Sequence, residues 1–142
     1  MLIGQALNKI DDKNRLVIPL DMRLELGEEF YITNGLDGCL FVMSVEEFTL
    51  LHNKISEQPM SKVRKLQRYF FGDATRVKPD KQGRVLLTPA LINRAGLRRD
   101  VVVVGADNRV ELWDATQYAQ WHDSNAEELN EDISDIMEEV GI

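Results

Sequence analysis

Short runs of apolar and β-branched residues, separated by turn-forming residues, recur along most of the chain. Runs of this kind predict strands, and they occupy residues 15–18, 30–33, 40–43, 84–87, 101–104 and 110–113. Turn-forming residues cluster at 35–38 and at 105–108, where they predict tight turns. The strands on either side of each turn are therefore predicted to pair as a hairpin.

A short helix is predicted between the first two strands of each half, at residues 20–26 and 89–95. Pro19 and Pro89 suit the first position of a helix, and each predicted helix is followed by a glycine, which suits a helix terminus. Each half therefore places one or two helical turns between its strands.

Longer helices are predicted after each hairpin and between the two halves. Residues 44–47 and 114–117 have the spacing of a capping box, which marks the start of a helix. Residues 61–71 predict a basic linker helix. Beyond residue 123 the apolar residues recur at roughly helical spacing, at Leu129, Ile133, Ile136, Met137 and Val140.

The two halves repeat one another. Arg15 aligns with Arg84 and Asp11 with Asp80 at an offset of 69, whereas the later strands align at an offset of 70. One inserted residue near Thr88 would explain the shift. We interpret the chain as two copies of one β-β-α-β-β module of about 50 residues, since the order of elements agrees throughout.

A module of this size buries too little surface to be stable alone. Pairing the two copies edge to edge into a small barrel would remove their exposed strand edges. The predicted fold class is mainly β with short helices, α+β. The predicted segments are a first module at 1–56, a basic helical linker at 57–73, a second module at 74–122 and an acidic C-terminal tail at 123–142.

Composition narrows the possible functions. The chain has 142 residues, 44% of them hydrophobic, with one cysteine and two histidines. No apolar run reaches the length of a membrane span, and no signal peptide is visible, so we expect a cytoplasmic protein. A disulfide framework and a cysteine-rich zinc site are excluded. No catalytic pattern is present, so we predict no enzymatic activity, metal, cofactor or small-molecule substrate.

The net charge of −7 conceals an uneven distribution. Through Arg109 the chain has 17 basic and 14 acidic residues, and beyond it 10 acidic residues and no basic ones. The stretch from Lys62 to Arg84 has a charge of +6. Because local charge density sets the field that a polyanion meets, an acidic average does not exclude nucleic acid.

Each copy begins with an aspartate four residues before an arginine, Asp11 with Arg15 and Asp80 with Arg84. One interpretation is a local ion pair that fixes the turn, although an exposed pair contributes only about 0–1 kcal/mol. The other is that the carboxylate orients the guanidinium toward a phosphate or a guanine edge. In that hypothesis the DNA-binding side chains also include lysines near the turns, Lys13 and Lys81, with Lys9 and Lys78 as secondary contacts.

The linker helix and the acidic tail each allow two interpretations, whereas Cys39 is given a structural role only. The basic side of the linker helix faces either solvent or DNA, and its phenylalanines belong to the core. The acidic tail is either a fraying or disordered end that adds solubility, or an amphipathic helix that docks on a partner or competes with DNA. Cys39 is interpreted as a small buried apolar residue.

Several blocks of sequence, in order and at matching spacing, resemble the MraZ family of bacterial transcriptional regulators over roughly residues 1–121. They are Asp11-Asp12-Lys13-Asn14-Arg15-Leu16-Val17-Ile18-Pro19, Gly35-Leu36-Asp37-Gly38-Cys39-Leu40, Gln67-Arg68-Tyr69-Phe70-Phe71, Asp80-Lys81-Gln82-Gly83-Arg84, Ala95-Gly96-Leu97, Val103-Val104-Gly105 and Glu111-Leu112-Trp113-Asp114. Asn14 stands where the family usually has glycine, and the second copy keeps Gly83. Asparagine tolerates left-handed backbone conformations, so we expect the first turn to survive.

The resemblance implies tandem AbrB-like modules in a swapped-hairpin β-barrel and a ring-shaped homo-oligomer. It also implies a sequence-specific, nucleoid-associated regulator that binds short direct repeats of double-stranded promoter DNA at division and cell-wall genes. The alternative function is a protein-interaction or structural ring without a DNA role, because a fold alone does not decide function.

Overall fold

The computed structural model describes residues 1–124 and 126–142. Within them the chain forms eight strands and six helices, in an α+β arrangement. In chain order they are β1 (Gln5–Lys9), β2 (Arg15–Val17), α1 (Leu20–Leu26), β3 (Phe30–Asn34), β4 (Leu40–Ser44), α2 (Val45–Ser56), α3 (Met60–Phe71), β5 (Thr75–Val77), β6 (Arg84–Leu86), α4 (Pro89–Ala95), β7 (Asp100–Gly105), β8 (Val110–Asp114), α5 (Ala115–Ser124) and α6 (Ala126–Val140).

The strands of the two copies are interleaved. The larger sheet is antiparallel in the order β1-β7-β8-β4-β3-β5, and β2 pairs with β6 in a separate two-stranded ribbon. The first strand of each copy pairs with the third strand of the other, with Gln5 opposite Val104 and Thr75 opposite Ile32. The duplicated α+β fold is confirmed, whereas closure into a swapped-hairpin barrel stays a prediction.

One apolar core serves both copies. The ribbon contributes Leu16 and Val85, while the central strands contribute residues such as Leu40 and Leu112 to the same buried cluster. The short helices each bury two side chains four residues apart, which lie on one helix face. Burying each large aliphatic side chain contributes about 1.5–3 kcal/mol, so the copies stabilise one another.

The other face of the central strands has its own buried cluster. Alternate residues of a strand point to opposite faces, and Phe41, Met43 and Trp113 pack here with Cys39. The helices α2, α3 and α5 cover this cluster with partly buried aromatic and aliphatic side chains, among them Phe48, Phe70, Tyr118 and Trp121. The predicted core position of Phe70 is therefore confirmed.

Helix starts follow the predicted capping residues. Ser44 Oγ accepts a hydrogen bond from Glu47 N at 3.1 Å, and Asp114 Oδ2 accepts one from Gln117 N at 3.1 Å. These side chains satisfy backbone N–H groups that have no partner inside the helix. Both predicted capping positions are therefore confirmed.

The short helices correct two details of the predicted repeat. Pro89 begins α4, but Pro19 precedes α1 and stands at its N-cap, so its predicted position was wrong by one residue. The two helices share the offset of 69, since Arg23 N donates to Pro19 O as Ile92 N donates to Thr88 O. The extra residue of the second copy therefore lies after α4 rather than near Thr88.

The predicted acidic tail contains α6, on which Ile133, Ile136, Met137 and Val140 are all exposed. Asn125 and the side chain of Leu129, both part of that predicted tail, lie outside the described residues. In residues 1–124 and 126–142 no helix combines the length and apolar character that crossing a bilayer requires. The bounds of the four predicted segments stay predictions.

Candidate functional site

The loops before β2 and β6 are built on the same hydrogen bonds. Asp11 Oδ1 accepts hydrogen bonds from the backbone N–H groups of Lys13 at 2.9 Å and Arg15 at 2.8 Å. Asp80 Oδ1 accepts the equivalent bonds from Gln82 and Arg84, both at 2.9 Å. Each aspartate thus holds its own loop by bonding the backbone two and four residues ahead.

The second oxygen of each carboxylate holds the arginine side chain. Arg15 Nε donates to Asp11 Oδ2 at 2.8 Å, and Arg84 Nε donates to Asp80 Oδ2 at 2.7 Å. The pKa of each aspartate lies below the ordinary 3.8, mainly because the carboxylate accepts a hydrogen bond from the backbone N–H of its arginine. Desolvation opposes this lowering, and the hydrogen bond from the guanidinium adds to it. Both carboxylates are therefore ionised at neutral pH.

A left-handed residue closes each loop. Asn14 has φ of 60° and donates its N–H to Asp11 O, while Gly83 has φ of 80° and donates to Asp80 O. Asparagine and glycine are the residues that adopt this conformation with least strain. Asn14 therefore closes the first turn in the way that Gly83 closes the second.

The ribbon of β2 and β6 brings the two loops together. Arg15 lies opposite Leu86, and Arg84 lies opposite Val17, so the two arginines are diagonal neighbours on one face. Diagonal neighbours in an antiparallel pair are roughly 7–8 Å apart. Because Leu16 and Val85 on the other face are buried, the arginine face points away from the core.

Each guanidinium is only partly engaged by the protein. The side chains of Arg15 and Arg84 are both 30% exposed, and each uses Nε for its aspartate. Within residues 1–124 and 126–142, no hydrogen bond reaches their Nη1 or Nη2 atoms. Each arginine therefore presents the terminal part of its guanidinium with unused donors.

The predicted lysines are exposed but are arranged differently in the two copies. Lys13 occupies the position of Gln82, whereas Lys81 occupies the position of Asp12. Lys9 ends β1 opposite Asp100, and Lys78 directly follows β5. The arginines and their aspartates are thus brought together symmetrically, whereas the lysines surround them without the same symmetry.

Sequence inspection missed Arg23, which contacts the second loop from α1. Its Nε donates to Ile18 O at 2.8 Å. Its guanidinium also lies over Gly83, where a Cβ would come within 2.6 Å of Arg23 Cζ. Beside this contact lies an open groove of 420 Å³ that Arg23 shares with Lys78 and Asp80.

The remaining candidates lie elsewhere in the fold. On α3 the basic residues Lys62, Arg64, Lys65 and Arg68 are exposed, while Val63 is buried. Cys39 is 2% exposed, and burial raises the pKa of its thiol to about 12, so it is confirmed as a small buried residue.

Comparison with known proteins gives a consistent result over the whole chain. The family model described as "MraZ protein, putative antitoxin-like" matches residues 1–67 and again residues 70–138. A protein of Clostridium tetani named transcriptional regulator MraZ is 37% identical, with all of both chains covered. Proteins of the same name from Alkaliphilus metalliredigens and Halothermothrix orenii are 39% and 40% identical, also over the full length of both chains.

Proposed function

The chain belongs to the MraZ family, and on this premise we propose that it is a sequence-specific, DNA-binding transcriptional regulator. In this proposal it acts as a ring-shaped homo-oligomer on short direct repeats in a promoter of division and cell-wall genes. Its place of action is the cytoplasm, at the nucleoid. The proposal assigns it no catalytic reaction.

The observation that carries the proposal is the pairing, on one outward face, of two arginine loops that share the same aspartate hydrogen bonds. Arg15 and Arg84 are diagonal neighbours on the β2–β6 ribbon, and within the described part of the chain both keep free Nη donors. A planar guanidinium can donate two hydrogen bonds at once to a phosphate or to a guanine edge. Two arginines whose strand positions are roughly 7–8 Å apart would contact neighbouring groups of one duplex.

The aspartates are suited to preparing the loops for binding. Because Asp11 and Asp80 each accept three hydrogen bonds, the loop backbone and the arginine Nε are already ordered before DNA arrives. A preordered binding group loses less conformational entropy on association. An exposed ion pair contributes little to stability, which does not explain its presence in both copies. Ordering each loop for DNA binding does explain it.

Several ribbons binding along one DNA molecule would together give a higher affinity than the small contact of a single ribbon. One ribbon offers two arginines, with Lys13 and Lys81 as exposed charges for nearby phosphates. When several ribbons are joined in one ring, each further contact forms at high effective concentration once the first has formed. Direct repeats at the spacing of neighbouring subunits would therefore be favoured over a single site.

Fluorescence anisotropy with a promoter duplex tests the proposal. The duplex carries tandem short repeats, and a duplex with the repeats scrambled is the control. We expect preferential binding of the repeats and, for about 6–10 phosphate contacts, a loss of affinity of roughly 10³–10⁵ between 50 and 200 mM salt.

Absence of binding at 50 mM salt would contradict the proposal, provided that light scattering shows an intact oligomer. That result would favour the interaction or structural ring instead. Equal binding of both duplexes would contradict sequence specificity while leaving general DNA binding in place.

A further inference from the structure

In residues 1–124 and 126–142, the second loop receives a contact from α1 that the corresponding residue of α4 does not make with the first loop. Arg23 extends from α1, donates from Nε to Ile18 O at 2.8 Å and covers the turn at Gly83. Ile18 N in turn donates to Gly83 O at 3.0 Å. Arg23 therefore joins the end of β2 to the turn that directly precedes Arg84.

The residue of the second copy that corresponds to Arg23, Ile92, cannot make this contact with the first loop. Arg23 and Ile92 are both the fourth residue of their helices, and their backbone N–H groups make the same bond to the residue before the helix. Ile92 packs against the apolar core and has no side-chain donor. The first loop therefore closes without a guanidinium over its turn.

The residue at the turn matches this difference. Gly83 is buried, whereas its counterpart Asn14 is exposed. A Cβ at Gly83 would lie 2.6 Å from Cζ, 2.7 Å from Nε and 2.8 Å from Nη2 of Arg23. Only glycine leaves room for the guanidinium, while the uncovered turn of the first loop accommodates an asparagine.

We infer that Arg23 is a positioning residue for the second loop alone, so that Arg84 is presented by a turn that a guanidinium covers and Arg15 by a turn without that cover. Both turns also accept a backbone hydrogen bond across the ribbon, from Ile18 N to Gly83 O and from Leu87 N to Asn14 O. This inference rests on the proposed DNA-binding function and makes the two loops unequal partners in it. The second loop loses less freedom on binding, and the first adapts more easily to a neighbouring phosphate or base.

The surroundings of Arg23 favour positioning over direct contact with DNA. Its Nε is already used on Ile18 O, and its guanidinium plane rests on Gly83. The groove beside it is lined by two acidic residues, Glu28 and Asp80, as well as by Lys78. These two acidic residues offset the charges of Arg23 and Lys78, so the groove itself does not attract a phosphate and the contribution of Arg23 passes through the loop and Arg84.

Double-mutant cycles test this inference, because the chain supplies its own control loop. The affinity for the repeat duplex is measured at fixed salt for the parent, for Arg23→Gln, for Arg15→Ala, for Arg84→Ala and for the two double variants that contain Arg23→Gln. We expect Arg23→Gln to weaken binding about fivefold, a coupling typical of residues in contact. That loss should disappear in the Arg84→Ala background and persist in full in the Arg15→Ala background.

A second readout does not depend on DNA. Amide NMR shifts of residues 81–84 should move in Arg23→Gln, whereas those of residues 12–15 should stay. Arg23→Lys keeps a donor that can reach Ile18 O, and it should restore at least half of the lost affinity. Melting temperature shows whether each variant is folded.

Three outcomes would overturn the inference. The loss from Arg23→Gln could add fully to that from Arg84→Ala, which indicates an independent contact. It could disappear with Arg15→Ala as well, which indicates a general structural role, or the shifts could be equal in both loops. If the parent protein does not bind the duplex, the proposed function fails, and the NMR comparison still decides whether Arg23 fixes the second loop.

Discussion

Leu40 and Leu112 face each other across the central pair of strands, β4 and β8, and neither side chain has any exposed surface. The first belongs to one copy of the repeat and the second to the other. The outer strands cross over as well, since β1 pairs with β7 and β5 with β3. Separating the copies would therefore expose the core and leave β1 and β5 without the strands they pair with.

The whole chain through β8 should consequently unfold in a single transition. Leu112→Ala removes buried contacts in the shared core and should lower the free energy of unfolding by about 2–5 kcal/mol. Tryptophan fluorescence reports the second copy, through Trp113 and Trp121, and circular dichroism reports both. We expect the two unfolding curves to coincide in the parent and in the variant.

Hydrogen exchange provides the matching control. Amides of β3 and β4 should lose protection in Leu112→Ala together with those of β7 and β8. Persistent protection of the first copy alone would show that the copies are separate folding units.

Exchanging the turn residues between the loops should have unequal effects. Gly83→Asn keeps a residue that tolerates φ of 80° but pushes its Cβ into the end of the Arg23 side chain. Arg23 can move away only by giving up its hydrogen bond to Ile18 O, so unfolding should become easier by about 0.5–1.5 kcal/mol. Asn14→Gly alters an exposed turn and should change stability by less than about 0.5 kcal/mol. Denaturant unfolding of both variants measures the difference.

Adding Arg23→Ala to Gly83→Asn isolates the clash. Relative to Arg23→Ala alone, the double variant should lose little further stability, because the side chain in the way is already gone. Equal losses from Gly83→Asn and Asn14→Gly, or the same loss from Gly83→Asn with and without Arg23, would contradict the assigned contact.

The loop aspartates should titrate below pH 3.8, their ordinary value. Because folding lowers the pKa of Asp11 and Asp80, their contribution to stability is fully present above the unfolded value of about 3.9. That contribution is lost as the pH falls through the lower folded value. Carboxyl NMR titration of the folded protein measures both midpoints directly.

Arg15→Ala separates the causes of the shift. The midpoint of Asp11 should rise only in part, since the backbone N–H of residue 15 is the larger cause and remains in the variant. The midpoint of Asp80 should not move. A midpoint at or above 3.8 for Asp11 in the parent would show that the loop hydrogen bonds do not persist in solution.

Local patterns in the sequence were sufficient for the elements that have an apolar face. The bounds of α1 and α4 follow their glycines, and each predicted hairpin strand is within a residue of the observed one. Strand β1 was not assigned from its residues, because it buries neither face and shows no apolar alternation. It is a strand because β7 of the other copy pairs with it, which no local pattern records.

In the candidate site, the contacts between residues near in sequence were predictable, whereas the contact between distant residues was not. The spacing of Asp11 and Arg15 is short, so their bond follows from local geometry and recurs at Asp80 and Arg84. The contact of Arg23 joins parts of the chain 60 residues apart and leaves no periodic signal. The combination of Gly83 with Arg23, against Asn14 with Ile92, was the available indication.

The acidic helix α6 should weaken DNA binding, because its negative charges repel the phosphates of DNA. It carries seven acidic residues and no basic one, and each unit charge repels a phosphate roughly 20 Å away by about 0.2 kcal/mol in water. Converting Glu131, Asp132, Asp135 and Glu138 to their amides should tighten binding several-fold at low salt.

Screening distinguishes this field effect from docking of the helix. The gain should shrink as the salt concentration rises from 0.01 to 0.15 M, because the Debye length falls from about 30 to about 8 Å. A gain of equal size at both salt concentrations would instead indicate a direct contact between α6 and the DNA-binding face.

Loss of DNA affinity on removing Arg15 and Arg84 tests the central claim most directly. The claim is that the two loops bind DNA together. Each single change to alanine should cost about 1–3 kcal/mol of binding, while Lys54→Ala, which removes an exposed charge on α2, should leave affinity unchanged. If the double variant keeps its melting temperature and still binds the repeat duplex as tightly as the parent, the paired loops are not the DNA-binding site.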